Sequence, residues 1–541
     1  MDAFEVSFYR LAVKFQHAMK LPIFLKERYF LLLLCGVLLA IGVTLRVYYY
    51  QTTFGYDMAR DAFEAHSIAY HHDLKIMGPG TDIVGLNHGV LWYYVLAIPY
   101  ALSHQDPQIA AIFFVILSLA TIPVVWKLSF ALFKDKTLSF VSTLLYAFSP
   151  LVIFLSSWMS NPVLCLYVSP PLLLLIWQYI HKPSYKKAFF IGLLYGMLIQ
   201  SQLANVLLLL TIPLYILFFK LKFRFLNISA LLLGLFISLL SYLIVEVKFH
   251  GRGIFGALEF LGGHHGGFPK IQNVLDKFIE FANLTAFPFH NVLTPAFLIL
   301  FTGFIVFQFK ANKKPVGFLL IWLINILLFT LFSTGVSTSS FVFVPSIAAG
   351  VILFSFVFVK ILKKKAIIGV VLVILIFFQI AAVFKWQKEE FSPLAIPRSN
   401  TVYRDKEIVD YTYKSSQGHA FVINTLTVPL YINTTWAYVY EFYGKSKYGY
   451  VPFWGGRGQT GYLGSLPEKP FGSDIRYLIL ESAIGIPDAY VAKIKYDEEK
   501  ISDLVEEKHF GYVIVQKRKF HEGKTNVPVP DILKNSNILY E

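Results

Sequence analysis

Charge is scarce in this chain. Only 15% of its 541 residues are Asp, Glu, Lys or Arg, against 56% hydrophobic ones, and the mean hydropathy is +0.59. That balance excludes a soluble globular protein of this length. Cysteine is scarcer still. Cys35 and Cys165 both lie in apolar runs, so neither a disulfide framework nor a cysteine zinc site can be built, and the redox compartment stays open. No basic patch with interleaved aromatics occurs in a polar region, which excludes a nucleic-acid surface. Charges deep inside the apolar runs are also missing, since Arg46, Lys127 and Glu246 all sit near the ends of theirs. Ion and proton pathways need ionisable groups at mid-depth, so this absence counts against a transporter.

What is present is a series of apolar segments. Residues 29–45 carry no charge and reach across a bilayer with their flanks. The segment is too long for a secretory signal and has no small-residue cleavage site, so it reads as a retained first span. Residues 1–28 are a basic segment expected in the cytoplasm. Further apolar segments recur at roughly 89–104, 108–132, 138–156, 162–180, 188–219 (two spans broken near Ser201–Asn205), 226–247, 292–309, 316–333, 341–360 and 366–384. Lysine and arginine clusters mark every second connection, and the intervening connections are uncharged. The charge follows this topology: residues 385–541 hold 20 Lys or Arg and 19 Asp or Glu, so almost all of the net +15 lies in the first 384 residues. The alternation places the loop 248–290 and everything after 384 outside the cytoplasm. For the loop 51–88 to be external as well, one segment must not cross. The short, Trp- and Tyr-rich stretch at 89–102 is the one expected to lie along the interface or form a re-entrant arm. Eleven to thirteen crossings remain.

The polar stretch after the first span is the expected site of chemistry. Between Phe54 and Tyr94 it carries Asp57, Arg60, Asp61, Glu64, Asp73, Asp82 and four histidines. Tyr56, Asp57, Arg60, Asp61 and Glu64 fall at helical spacing, so Asp57, Asp61 and Glu64 share a face with Arg60 beside them. Asp61 is expected to pair with Arg60 and hold the loop. In the second loop, His264, His265 and His290 are the notable polar groups, read as solvated surface histidines or as a contribution to a phosphate or metal site. After about residue 385 the composition becomes charged. Residues 419–425, 476–482 and 512–518 read as strands and 487–510 as one or two helices, giving a small external α/β domain.

These residues carry a resemblance. Tyr56-Asp57-x-x-Arg60 just after the first span, then a Gly/Pro loop and the aromatic apolar run from Asn87 to Tyr94, resembles the GT-C superfamily of membrane glycosyltransferases. The nearest branch is that of the protein O-mannosyltransferases and the lipid A aminoarabinose transferases. Ser160-Asn161-Pro162 resembles a short external connection of such enzymes. The resemblance covers roughly residues 25–385 in architecture. It implies a polytopic α-helical, GT-C-like membrane module at 29–384 with the external domain at 385–541, in the plasma membrane. It also implies transfer of a sugar from a polyprenyl-phosphate donor to a glycan, lipid or protein acceptor at the non-cytoplasmic face.

By the same resemblance Asp57 is the catalytic carboxylate and Arg60 a partner of the donor phosphate. Asn87 and His88 stand where the aminoarabinose enzymes carry Glu and Lys, a departure that touches phosphate binding. Such inverting transfer needs a base at the acceptor hydroxyl and positive charge at the leaving phosphate. Asp57 supplies the first. Arg60, His88, His265 or a divalent metal such as Mg or Mn, with Asp57 and His265 as candidate ligands, supplies the second. Tyr56, Asp61 and Asn87 complete the expected binding set. The competing readings are a lipid or solute transporter and a noncatalytic glycan-binding envelope protein. The sugar, the acceptor, the carrier length and the oligomeric state are not encoded in any motif recognised here.

Overall fold

Long uncharged runs of Leu, Ile, Val and Phe have few options in a bilayer other than helices, because a helix satisfies its own backbone polar groups. The computed structural model describes residues 36–37, 40–47, 53–81, 85–222, 224–262, 271–285, 293–332, 340–388, 401–456, 462–468, 474–482, 485–524, 526–534 and 538. The chain divides into two compact units, Met1–Tyr49 and Tyr50–Glu541. In the first, residues 40–47 are helical and Arg46 Nη1 donates to the Gly42 carbonyl at 3.0 Å. All that follows concerns the second.

Its first helix is α1 (Tyr56–His71), followed by the short apolar α2 (Leu91–Leu102) and the long α3 (Pro107–Phe133). At about 1.5 Å per residue α2 spans roughly 18 Å, too little to cross a hydrocarbon core, as the interfacial reading of this stretch requires. Asp106 starts α3 by accepting the Gln108 N–H, with Pro107 at the first helical position where no donor is needed. Six helices among the described residues are long and apolar enough to cross: 107–133, 161–181, 225–248, 313–331, 341–362 and 365–386. The chain is an integral membrane protein. The segment expected at 138–156 is broken by Pro150 into Lys136–Phe148 and Pro150–Leu155, and the first expected span lies mostly outside the described residues.

The break near Ser201 occurs as expected. Helix α4 (Tyr185–Ser201) ends there, and a 3-10 turn (Leu203–Leu210) and a further helix (Thr211–Phe219) follow. Helix α5 (Phe225–Lys248) packs closely on α4 through glycines. A Cβ on Gly192 would stand 2.0 Å from the Leu231 carbonyl oxygen, and one on Gly234 would stand 2.1 Å from that of Phe189. Small residues here let two backbones touch where lipid offers no hydrophobic drive for association. Another side of α5, with Leu233, Phe236, Leu240 and Ile244, is exposed, which suits a lipid-facing surface.

The C-terminal residues form a mixed five-stranded sheet, order β2-β1-β3-β5-β4, from β1 (Val422–Leu426), β2 (Phe453–Trp454), β3 (Ile475–Leu480), β4 (Ser502–Phe510) and β5 (Val513–Phe520). The pairs β1–β2 and β1–β3 are parallel, and β5 is antiparallel to both of its neighbours. Helix α6 (Val402–Ser415) precedes the sheet and α7 (Asp488–Glu499) links β3 to β4. The three expected strands are β1, β3 and β5. One expectation fails: residues 502–510 are not helical but form edge strand β4. Its side chains are exposed from Asp503 to His509, so no hydrophobic period marks it, and its charges suit an unpaired sheet edge. An antiparallel bridge between Thr53 and Thr401 sets the starts of α1 and of this region side by side.

Candidate active site

The site is built on α1. Gly55 enters in an extended conformation, and the helix closes at His72, whose positive φ of 56° and N–H bond to Ser67 O end it sharply. Met58, Ala59, Ala62 and Ala65 are buried, and Phe63 meets the C-terminal region. Asp57, Arg60, Asp61 and Glu64 follow one another along the helix.

Arg60 is held between two carboxylates. Its Nη1 lies 2.8 Å from Asp57 Oδ1, and its Nε and Nη2 donate to Asp61 Oδ1 at 2.9 and 2.8 Å. The Trp92 indole N–H donates to the other Asp61 oxygen at 2.8 Å, and the guanidinium lies 5.4 Å over the Tyr56 ring. The two carboxylates have opposite surroundings: the Asp57 side chain is 64% exposed and that of Asp61 is wholly buried. Burial pushes the Asp61 carboxyl up to about 6, with Arg60 pulling against it and Asp57 adding to it. Burial works against the Arg60 charge too, but Asp61 and Asp57 outweigh it and the guanidinium is held more firmly protonated than usual. Asp57 is therefore the carboxylate that a ligand can reach, and Asp61 is the one that aims Arg60.

The returning loop brings His88 beside this group. Its N–H bonds Pro79 O at 2.7 Å, and its ring Nδ1 accepts from the Leu203 N–H at 3.3 Å. Burial, then the Arg60 charge, lowers the imidazole to about 4. It is neutral near pH 7, with the proton assigned to Nε2 by that hydrogen bond, so it offers a donor rather than a charge. Gly89 donates to Gln200 O at 2.8 Å, and a Cβ there would fall 2.6 Å from Gln200 Cα. Gln200 in turn donates to Ser238 O and Ser241 Oγ on α5, both at 2.7 Å. The backbone of Asn87 bridges Gly80 in a half-buried position.

One turn beyond Arg60, Glu64 anchors a second polar group. Lys75 Nζ is 2.8 Å from Glu64 Oε2, and the Tyr462 hydroxyl donates to Glu64 Oε1. Burial, then the Glu64 charge, pushes the Tyr462 phenol up to about 12. The Lys75 backbone is clasped by the Tyr94 hydroxyl, which accepts its N–H at 3.1 Å and donates to its carbonyl at 2.8 Å.

Tyr56, Asp57, Arg60, Asp61 and His88 thus come together, with Asn87 one residue away. Asp82, His264, His265 and His290 lie outside the described residues. Among the described residues no three His, Cys, Asp or Glu side chains gather to hold a metal. Asn161 of the Ser-Asn-Pro connection is buried and donates to Ser201 O at 2.6 Å, a packing role at the α4 break. Sequence reasoning missed Lys75, Trp92, Gln200, Tyr462 and Arg252, whose side chain lies beside Gly85. Trp92 stood inside the aromatic run 87–94 with no role assigned to it, and Lys75 lay between Phe54 and Tyr94 without a motif to mark it. The other three reach it from 109 to 398 residues away, a pairing that no local pattern records.

No family model matches this chain, and no curated protein does either. Fifteen chains of solved structures match it, among them two of one protein. ArnT from Cupriavidus metallidurans in the apo state aligns with 13% identity and a TM-score of 0.56, over 89% of this chain and 97% of that one. The same protein bound to undecaprenyl phosphate aligns with 12% identity and a TM-score of 0.55, over the same shares. The fold is therefore like that of ArnT.

Proposed function

We propose that this chain is an inverting membrane glycosyltransferase that moves a sugar from a polyprenyl-phosphate carrier to an acceptor hydroxyl at the non-cytoplasmic face. The observation that carries this reading is the exposed Asp57 carboxylate held 2.8 Å from Arg60, on a helix leaning against the short apolar α2. The likeness to a structure of ArnT bound to undecaprenyl phosphate supports the carrier class. A polyprenyl tail stays in lipid, so a site at the interface takes the phosphate end without extracting the chain.

In this mechanism the acceptor oxygen attacks the anomeric carbon while the bond from that carbon to the phosphate oxygen breaks. The bonding pair leaves with the polyprenyl phosphate, and the hydroxyl proton passes to Asp57. Arg60 faces the growing phosphate charge with the Nη1 that Asp57 shares, and neutral His88 offers a hydrogen bond from Nε2. Arg60 is outnumbered by Asp57 and Asp61, so an anionic donor needs a further positive charge. Arg252, whose side chain lies beside Gly85 on the returning loop, is the residue assigned to supply it. A divalent ion, should the reaction use one, meets Asp57 first because it is the exposed carboxylate, and a chelation assay reads this directly.

Asp57→Asn tests the reading. Transfer to acceptor in membranes containing native polyprenyl-linked sugars drops by a factor on the order of 10² or more, while the purified variant keeps the wild-type melting temperature. Undiminished transfer by this variant removes Asp57 from the chemistry.

A further inference from the structure

We propose that Glu64, Lys75 and Tyr462 form a second subsite, one that takes a neutral sugar unit of a glycan acceptor next to the unit whose hydroxyl reacts at Asp57. This rests on the glycosyltransferase reading above and adds the acceptor's class to it. Glu64 lies seven residues after Asp57 on α1, two turns along the same side and about 10 Å of axial rise away. That spacing leaves room for one ring beyond the reacting one.

The three side chains come from three separate parts of the chain. Glu64 is on α1, Lys75 on the loop after it and Tyr462 in the C-terminal region. The Tyr462 segment is fastened where it crosses α1: its ring stacks on Phe63 at 5.8 Å and 19°, and the Ser465 N–H donates to Glu441 at 2.7 Å. Gly464 takes a positive φ of 61°, and a Cβ there would collide with Glu441. The segment is therefore held in register, and the polar triad does not depend on a free loop. It is reached through Tyr462, 45% exposed, and the Lys75 side chain, 29% exposed, while Glu64, only 11% exposed, anchors both.

The mixed charge selects the ligand. An anionic unit meets the Glu64 carboxylate and a cationic one meets the Lys75 ammonium, each repelled by one member of the pair. A sugar hydroxyl both donates and accepts, so it satisfies an acceptor-only carboxylate and a donor-only ammonium together. Tyr462 adds a hydroxyl of both kinds and an aromatic face for the apolar side of a ring.

The test uses purified full-length protein in nanodiscs. A printed array of neutral, anionic and cationic oligosaccharides is one probe, and a labelled polyprenyl phosphate is the other. Wild type retains neutral oligosaccharides in preference to charged ones, and Tyr462→Phe and Lys75→Gln each weaken that retention about tenfold, the effect of losing one charge-assisted hydrogen bond. Both variants keep wild-type affinity for the polyprenyl phosphate. Neutral-glycan retention that is absent in wild type, or unchanged in both variants, overturns the subsite. Parallel loss of polyprenyl-phosphate affinity overturns it as well, by placing these residues on the donor. Failure of wild type to bind the polyprenyl phosphate strikes the underlying reading instead, and is read independently of the array. Tyr462→Phe removes only a hydroxyl from a half-exposed ring, so it keeps the experiment decisive even where Lys75→Gln disturbs the loop.

Discussion

At the scale of single residues, the contrast between Asp57 and Asp61 decides which carboxylate does what. They lie four apart on one helix and share one arginine, yet only Asp61 is sealed from solvent, with every oxygen engaged by Arg60 or Trp92. A carboxyl held at about 6 against an ordinary 3.8 binds its proton more tightly in the folded protein than in the unfolded chain. Its contribution to stability is therefore full below pH 4 and is lost as pH rises through about 6. Activity runs the other way. Protonating Asp61 weakens the two hydrogen bonds that its carboxylate accepts from Arg60 and by which it aims the guanidinium, so transfer falls as pH drops below about 6. Asp61→Asn keeps the shape of the protonated form. We expect low transfer that no longer improves between pH 5 and 7, whereas wild type rises across that range. A pH–rate profile of the two proteins checks it.

Gly89 belongs to the same scale. Its missing Cβ is required by the Gln200 backbone 2.6 Å away, so Gly89→Ala must push the His88 turn off α4. Overpacking of this kind costs about 1 to 3 kcal/mol. The expected result is a lower melting temperature together with reduced transfer, and a wild-type melting curve for the variant contradicts the close approach.

At the scale of elements, the chain shows which signals a sequence carries and which it does not. The break at Ser201, the short α2 and strands β1, β3 and β5 were all readable, because each is announced by a local interruption or run: uncharged polar residues, Trp and Tyr, or consecutive branched residues. Strand β4 was not. A strand exposed on both faces has no inward side chains to set a period of two, and Asp503 to His509 resemble a solvated helix in composition. At the site, Asp57, Arg60 and Asp61 could be placed on one helix by spacing alone. Lys75, Gln200 and Tyr462 could not, since their positions come from tertiary packing. The α4–α5 contact is a further element-level feature. Gly234→Leu drives a side chain into the Phe189 carbonyl and should separate the two helices, lowering both melting temperature and transfer, because Gln200 ties α5 to Gly89. Phe236→Leu on the exposed side of α5 should leave both unchanged. Equal behaviour of the two variants would argue that the glycines are incidental.

At the scale of the whole molecule, residues 50–541 form one compact unit, and the C-terminal region sits directly on α1 and the end of α2. Phe63 meets Tyr438 edge-on at 5.1 Å, Lys406 pairs with Asp106 at 2.6 Å, and the Tyr438 hydroxyl donates to Gln105 O at 2.9 Å. The candidate site and the C-terminal sheet must then share one side of the membrane. This turns the charge alternation read from the sequence into a two-sided prediction. Lys182, Lys186 and Lys187 cluster at the turn between two apolar helices, and basic turns stay in the cytoplasm. Ser446 is exposed in the C-terminal region. In a background without Cys35 and Cys165, Ser446→Cys should react with a membrane-impermeant maleimide in intact cells, and Lys182→Cys should react only after permeabilisation. Gln417→Cys, at another exposed turn of the same region, should follow Ser446→Cys. Labelling of Lys182→Cys in intact cells would put Asp57 in the cytoplasm, and the reading of transfer at the non-cytoplasmic face would fall with the topology.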